Sequence, residues 1–273
     1  MGKHFGICAL CGKECELTFE HIPPRAAFNS TPAKPVSGDK MFTDDNRMPW
    51  DISGLQYSNQ QKGMGIFSLC QSCNNLTGAW YGNSYVEIAQ IVHRAICQPI
   101  PDNANCIGIN DVYPLRFIKQ IVSMFCSING YSNSLMEPLR EFVLNKDLSN
   151  LNPTQYKLCM YFTKGNLMKY APLSVMLKVT DNGPEAMALS EITTYPLGFI
   201  LYFDPTDTWE YDGFDITSFS NCKFDDLAEM RLPLCINEVN DIFPTFYRTK
   251  EEIIQCVEEN KKWSEDNADR TSM

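Results

Sequence analysis

Histidine is scarce in this chain of 273 residues, which contains three, and a basic surplus is absent, because 33 acidic residues outnumber 23 basic ones. A net charge of −10 disfavours a protein that coats nucleic acid over its whole surface, since such binding uses lysine and arginine to release phosphate counterions. Residues 1–75 hold equal numbers of acidic and basic residues, so the acidity belongs to the rest of the chain. We therefore expect any contact with a polyanion to lie in the first part.

Long apolar runs and internal repeats are also absent. No segment reaches the roughly 18–20 apolar residues of a membrane helix, so we expect no membrane contact. The first ten residues, MGKHFGICAL, lack the apolar stretch and cleavage site of a signal peptide, and we therefore expect a cytoplasmic protein. Hydrophobic residues make up 44% of the chain, which favours one or two folded domains with a buried core over disorder.

Cysteine, in contrast, is plentiful, with twelve residues. Without a signal peptide, clustered cysteines favour metal binding over a disulfide scaffold. Cys8-x2-Cys11 and Cys70-x2-Cys73 supply four thiolates, the number that closes a tetrahedral zinc site. A redox CxxC is the alternative, although that motif normally accompanies a βαβ pattern, which we do not find here. Cys15 could replace one ligand, but the pair spacing favours Cys11. We expect structural Zn²⁺ at the two pairs.

A candidate catalytic segment, TFEHIPP, lies between the two cysteine pairs. His21 follows Glu20 there, and Asn74 directly follows the second pair, so a shared zinc would bring these regions together. A neutral imidazole can take a proton from water near pH 7. Carboxylate and amide oxygens suit a hard divalent ion, which can bind a phosphate oxygen. This combination favours metal-assisted hydrolysis of a phosphodiester.

The motifs CALC, EHIPP and CQSCNN resemble the HNH endonucleases in their zinc-stapled form, with the ββα-metal or His-Me finger fold of treble-clef type. The resemblance covers about residues 5–85. It implies a β-hairpin followed by a helix, His21 as general base, and Mg²⁺ or Mn²⁺ held by Glu20 and Asn74. It also implies DNA as substrate, with RNA as the alternative. The family commonly places an asparagine about five residues before the second CxxC, where this chain has Gly65.

Two basic residues are candidates for contact with nucleic acid. Arg25 stands four residues after His21, and Lys62 lies in a long polar segment over residues 29–64. Both could neutralise phosphate charge next to the candidate base. The alternative, ordinary solvated surface charges, stays open because acidic residues are interspersed in the same segment.

We predict an α+β fold with an HNH-like zinc module over residues 1–100 and a companion domain of helices and a mainly antiparallel sheet over residues 101–273. Apolar periodicity, capping residues and Pro or Gly breaks predict helices, and β-branched and aromatic runs between turn signals predict strands. The predicted helices cover residues 84–97, 113–128, 134–144 and 250–263, and the predicted strands cover residues 156–163, 173–180, 187–193, 197–203 and 230–236.

Two functions follow as hypotheses. The first is an HNH-type endonuclease acting on DNA, in a bacterial or phage conflict system such as antiphage defence. Its acidic companion domain would bind a regulatory protein or form a homodimer. The second is a catalytically inactive zinc module that binds protein or nucleic acid; the net charge, the missing asparagine and the glutamate in place of the commoner aspartate favour it. Loss of cleavage on His21→Ala would distinguish the two.

Overall fold

The computed structural model describes residues 2–41, 47–101, 103–165, 167–180 and 183–267. It has the mixed helix and antiparallel sheet content of the predicted α+β class. Within these ranges no helix is long and apolar enough to cross a membrane.

The N-terminal part is a small antiparallel sheet followed by a helix. Strands β1 (His4–Ile7), β2 (Glu14–His21) and β3 (Gly65–Cys70) pair in the order β1-β2-β3, and α2 (Gln71–Thr77) follows β3 directly. The segment between β2 and β3 is mostly irregular, as predicted. It contains the one-turn helix α1 (Gly38–Met41) and a bridge between Ala33 and Gln60, while residues 42–46 lie outside the described ranges.

The longer helices confirm the periodicity predictions to within four residues at each end. Helix α2 continues through a π-helical turn (Gly78–Gly82) into α3 (Asn83–Ile96). Helix α4 (Pro114–Asn129) has its proline in the first turn, where a missing N–H costs nothing. A 3₁₀ turn precedes α5 (Glu137–Leu144), and α6 (Lys250–Asn267) is the last helix of the described chain.

Two further sheets lie in the second part of the chain. Their strands are β4 (Cys106–Val112), β5 (Tyr156–Phe162), β6 (Lys169–Thr180), β7 (Gly183–Thr193), β8 (Leu197–Phe203), β9 (Phe214–Asp215) and β10 (Ala228–Pro233). One is a five-stranded antiparallel sheet with the order β6-β7-β8-β5-β9, and the other is an antiparallel pair of β4 and β10. The predicted strands correspond to β5, β6, β7, β8 and β10, whereas β4 and the two-residue β9 were not predicted.

Helix α4 is the centre of the fold. The predicted apolar stripe is buried, and so are polar residues on its other sides, including Lys119 and Ser127. A helix buried on all sides packs against neighbours in every direction. Its neighbours include β3 of the N-terminal sheet, α3, α5, and β6 and β7 of the five-stranded sheet. One continuous hydrophobic cluster therefore runs from Cys8 to Leu232, through both predicted domains.

Candidate functional site

The four predicted zinc ligands converge at one end of the N-terminal sheet. Cys8 and Cys11 lie in the turn after β1, where Gly12 has a φ of 71° and donates its N–H to the Cys8 carbonyl over 2.9 Å. Cys70 ends β3, and Cys73 lies in the first turn of α2. The four Sγ atoms all lie within 4.8 Å of one another. A tetrahedral zinc with bonds of about 2.3 Å needs sulfurs about 3.8 Å apart, so the cluster fits a bound metal ion.

Electrostatics at the cluster favour a negatively charged sulfur. A hydrogen bond from the Cys73 thiol lowers the pKa of Cys8 to about 4, with help from backbone N–H groups that include that of Cys70. The same thiol–thiol bond raises the pKa of Cys73, because Cys73 holds the shared proton. Metal binding would release that proton, since thiolates are the ligand form.

His21 ends β2 on the side of the strand that also carries Phe19. Its Nε2 lies 3.1 Å from the Lys62 carbonyl oxygen, and the Phe19 ring meets it edge to face, with centroids 5.1 Å apart. Since a carbonyl only accepts, Nε2 carries the proton and Nδ1 keeps its lone pair. Partial burial, with the Arg25 charge as a smaller contribution, lowers the pKa of His21 below its usual value. The imidazole is therefore neutral and oriented at pH 7.

The segment that positions His21 is braced by Asn29. This buried side chain donates to the Pro23 and Met64 carbonyls, both over 2.7 Å, and accepts from the Met64 N–H over 2.6 Å. Gln60 adds two bonds of 3.1 Å to the backbone of Gly65. Hydrogen bonds from Asn29 and Gln60 thus hold the backbone around His21 in place. They do so although Gly65 stands where HNH endonucleases commonly have an asparagine.

Glu20 faces the opposite side of β2, towards α4. Its Oε2 accepts hydrogen bonds from the hydroxyls of Ser68, over 3.1 Å, and Ser127. The residue is 5% exposed, and burial raises the pKa of its carboxyl to about 7, against the lowering effect of the two hydroxyls. The structure therefore places the Glu20 carboxyl in the interior, away from the imidazole of its neighbour.

Asn74 lies on α2 and is half-buried. Its amide donates to Thr18 Oγ1 over 2.9 Å, and that hydroxyl donates to the Leu69 carbonyl over 2.9 Å. Thr18 and Glu20 are two residues apart on β2 and so face the same side. The structure therefore brings Asn74 and Glu20 to the helix side of the sheet and His21 to the other.

This arrangement does not fit a hydrated divalent ion at Glu20. Mg²⁺ keeps several waters and binds through exposed carboxylates, whereas this carboxyl is closed off by two serine hydroxyls. Among the residues that the structure describes, the cysteine cluster is the only group of three or more His, Cys, Asp or Glu side chains arranged to hold a metal ion. The residues present therefore do not fit the Mg²⁺ or Mn²⁺ that the resemblance implies at Glu20 and Asn74, and no step below depends on such an ion.

Arg25 and Lys62 are both exposed and flank His21. The Arg25 charge acts on the imidazole, and the Lys62 backbone holds it. Neither side chain forms an ion pair within the described ranges. Both residues therefore contact or act on the candidate base, Arg25 through its charge and Lys62 through its backbone carbonyl, and their contact with phosphate stays a prediction.

Sequence reasoning did not find Asn29, Gln60, Ser68 or Ser127. Asn29 and Gln60 lie in the polar segment, Ser68 lies on β3 and Ser127 on α4, and a contact made by one hydrogen-bonded side chain leaves no pattern in a single sequence. The strand pattern of β2 does give one indication. Successive side chains of a strand point to opposite sides, so Glu20 and His21 must face different sides once this segment is known to be a strand.

Comparison of the chain with protein-family models, with curated proteins and with solved structures finds no match.

Proposed function

We propose that this protein is an HNH-type phosphodiester hydrolase acting on nucleic acid, with His21 as its general base and a zinc ion bound by the cysteine cluster. The observation that carries the proposal is the bond from Nε2 of His21 to the Lys62 carbonyl. It leaves Nδ1 of a neutral imidazole free to accept a proton, next to two exposed cations.

The residues support the following chemistry. Nδ1 of His21 takes a proton from a water molecule while that water's oxygen forms a bond to phosphorus. The bond from phosphorus to the leaving sugar oxygen breaks, and that oxygen takes a proton from solvent. Arg25 and Lys62 neutralise charge on the phosphate and its neighbours. Zinc at the cysteine cluster would be structural, because four thiolates leave no open coordination position.

Cleavage of plasmid DNA, with RNA in parallel, tests this proposal. We expect the zinc-loaded full chain to cut one of them with added Mg²⁺ or Mn²⁺, and His21→Ala to lower the rate by about 10²- to 10⁴-fold, the usual contribution of a general base. His93→Ala is the matched control for the removal of an imidazole, since His93 lies on α3 and its ring contacts Tyr195 and Phe28. Equal cleavage by wild type and His21→Ala, or no cleavage of either substrate, contradicts the proposal.

The buried carboxyl of Glu20 favours a second candidate function, a zinc module that binds nucleic acid or protein without cutting. A residue expected to hold a catalytic ion is instead part of the packing against α4. In that case the purified protein binds an oligonucleotide or a partner but leaves every phosphodiester intact, and His21→Ala has no effect on turnover because there is none.

A further inference from the structure

Four ring side chains lie along one side of the N-terminal sheet. Phe19 on β2 pairs with Phe67 on β3, and His21 pairs with Gly65. His4 on β1 stacks on the Phe67 ring, with centroids 3.6 Å apart and planes at 20°. Phe19 meets Phe67 edge to face at 5.3 Å. These four residues, which we call the ring row, end at the candidate base.

The ring row is partly open to solvent. His4 is exposed, and Phe67 is 37% exposed, whereas large aromatic side chains are more often buried in the core. Gly65 is essential to the row, because a Cβ there would collide with the Phe19 ring and with the Glu20 backbone. The rings limit each other's rotation, so the surface is preorganised for a flat ligand.

Charges are sorted between the two sides of this sheet. The acidic residues Glu14 and Glu16 pair with Ile7 and Phe5, so they face the side opposite the ring row. Glu16 is also paired with Lys3 over 3.0 Å. Arg25, whose charge acts on His21, and Lys62, whose carbonyl binds it, are exposed cations at the His21 end of the row, and neither has an ion-pair partner among the described residues. The ring row therefore combines π surfaces with a positive end, although the chain as a whole is acidic.

We propose that the ring row binds a single-stranded segment of nucleic acid. Unpaired bases stack on His4 and Phe67, and the phosphate backbone runs towards Arg25 and Lys62. A duplex fits this surface poorly, because its bases hide their faces in the helical stack, whereas an unpaired strand offers every face. Delivery of a phosphodiester to His21 rests on the proposed function; binding itself does not.

Fluorescence anisotropy with labelled twelve-nucleotide probes tests the proposal on the zinc-loaded full chain, without added Mg²⁺ or Mn²⁺. The probes are oligo(dT), oligo(U), an abasic strand of the same charge, and a duplex. We expect a base-bearing single strand to bind about tenfold more tightly than the abasic strand, in line with one or two base–ring stacks. The oligo(dT) and oligo(U) arms distinguish DNA from RNA.

Phe67→Leu removes the ring and keeps an apolar side chain. It should weaken binding of the base-bearing strand about tenfold and leave abasic binding unchanged. Phe5→Leu is the matched control, because Phe5 is more exposed, at 70%, but lies on the opposite side of the sheet. Phe67→Trp should restore binding, which separates loss of stacking from loss of folding.

Three results would overturn the proposal: equal binding of duplex and single strand, equal binding of base-bearing and abasic strands, or the same loss with Phe5→Leu as with Phe67→Leu. Failure of the proposed function looks different. In that case base-dependent binding through Phe67 persists while wild type and His21→Ala show the same absence of cleavage.

Discussion

At the scale of single residues, Glu20 and His21 are adjacent in the sequence, but their side chains lie in different surroundings. The carboxyl is bonded to two serines inside the protein, and the imidazole is bonded to a backbone carbonyl near the surface. The motif EHIPP gives the identities of both residues but not the side of the strand that each occupies. The side that Glu20 faces is the side of Ser127, which lies more than 100 residues away in the sequence. Its position next to Glu20 is known only from the folded structure.

The raised pKa of Glu20 predicts a pH dependence of stability. The folded state holds a proton that the unfolded chain, with a glutamate pKa of 4.5, releases. The free energy of unfolding should therefore be highest below pH 4.5 for this group, fall as the pH rises to about 7, and stay level above it. The full effect is about 3 kcal/mol.

Glu20→Gln removes this titration and keeps the acceptor oxygen. Urea unfolding of zinc-saturated protein from pH 5 to pH 8 should show the variant gaining stability relative to wild type across that range. Glu16→Gln is the matched control on the same strand, because that side chain is about half exposed. Parallel profiles for wild type and Glu20→Gln would show that the carboxyl is not buried in the folded state.

At the scale of elements, the helices and strands that a local apolar pattern determines were predicted from the sequence, and those that depend on pairing with distant segments were not. Helix α4 and strand β8 were predicted within one residue, because a buried apolar stripe or run fixes them locally. Strand β4 was missed, since its sequence CIGINDV has little alternation and pairs with β10 more than 100 residues later. The hairpin of β1 and β2 was expected from the family resemblance alone, because β1 has only four residues, although β2 alternates polar residues with Cys15, Leu17 and Phe19.

The cysteine cluster should determine whether β1, β2 and α2 fold. Cys70→Ser is expected to lose about one zinc per chain and to unfold the N-terminal sheet, because ligand binding supplies folding free energy there. Cys15→Ser is the matched control: this thiol bonds to the Lys13 carbonyl and lies outside the four-sulfur group. Metal analysis and amide exchange provide the measurements. Full zinc content in Cys70→Ser would disprove the ligand assignment.

At the scale of the whole molecule, the two predicted domains share one hydrophobic cluster. Helix α4 joins them through the Ser127–Glu20 bond, and Tyr170 of β6 donates to the Ile22 carbonyl beside the candidate site. Composition and periodicity show where the cysteine-containing N-terminal part ends and the sequence with periodic apolar residues begins. They do not reveal that both parts pack on the same helix, since this depends on contacts between distant segments.

A fragment of residues 1–100 should consequently fail to fold on its own even with zinc, because it lacks α4 and leaves Leu10, Ile22 and Leu69 without their apolar partners. Two-dimensional NMR of the zinc-loaded fragment should show collapsed amide dispersion, whereas the full chain should unfold in one calorimetric transition. A well-dispersed fragment spectrum would establish an independent N-terminal unit.

Gly63 and Gly65 stand on either side of Met64 where two stretches of backbone touch. A methyl group at Gly63 would overlap the Asn29 backbone, and one at Gly65 would overlap the Glu20 carbonyl oxygen. Hydrogen is the only substituent that the space allows at either position. Any of the other nineteen amino acids at either position would therefore push these two stretches of backbone apart, and would change the distance between the His21 imidazole and the Lys62 carbonyl that holds it.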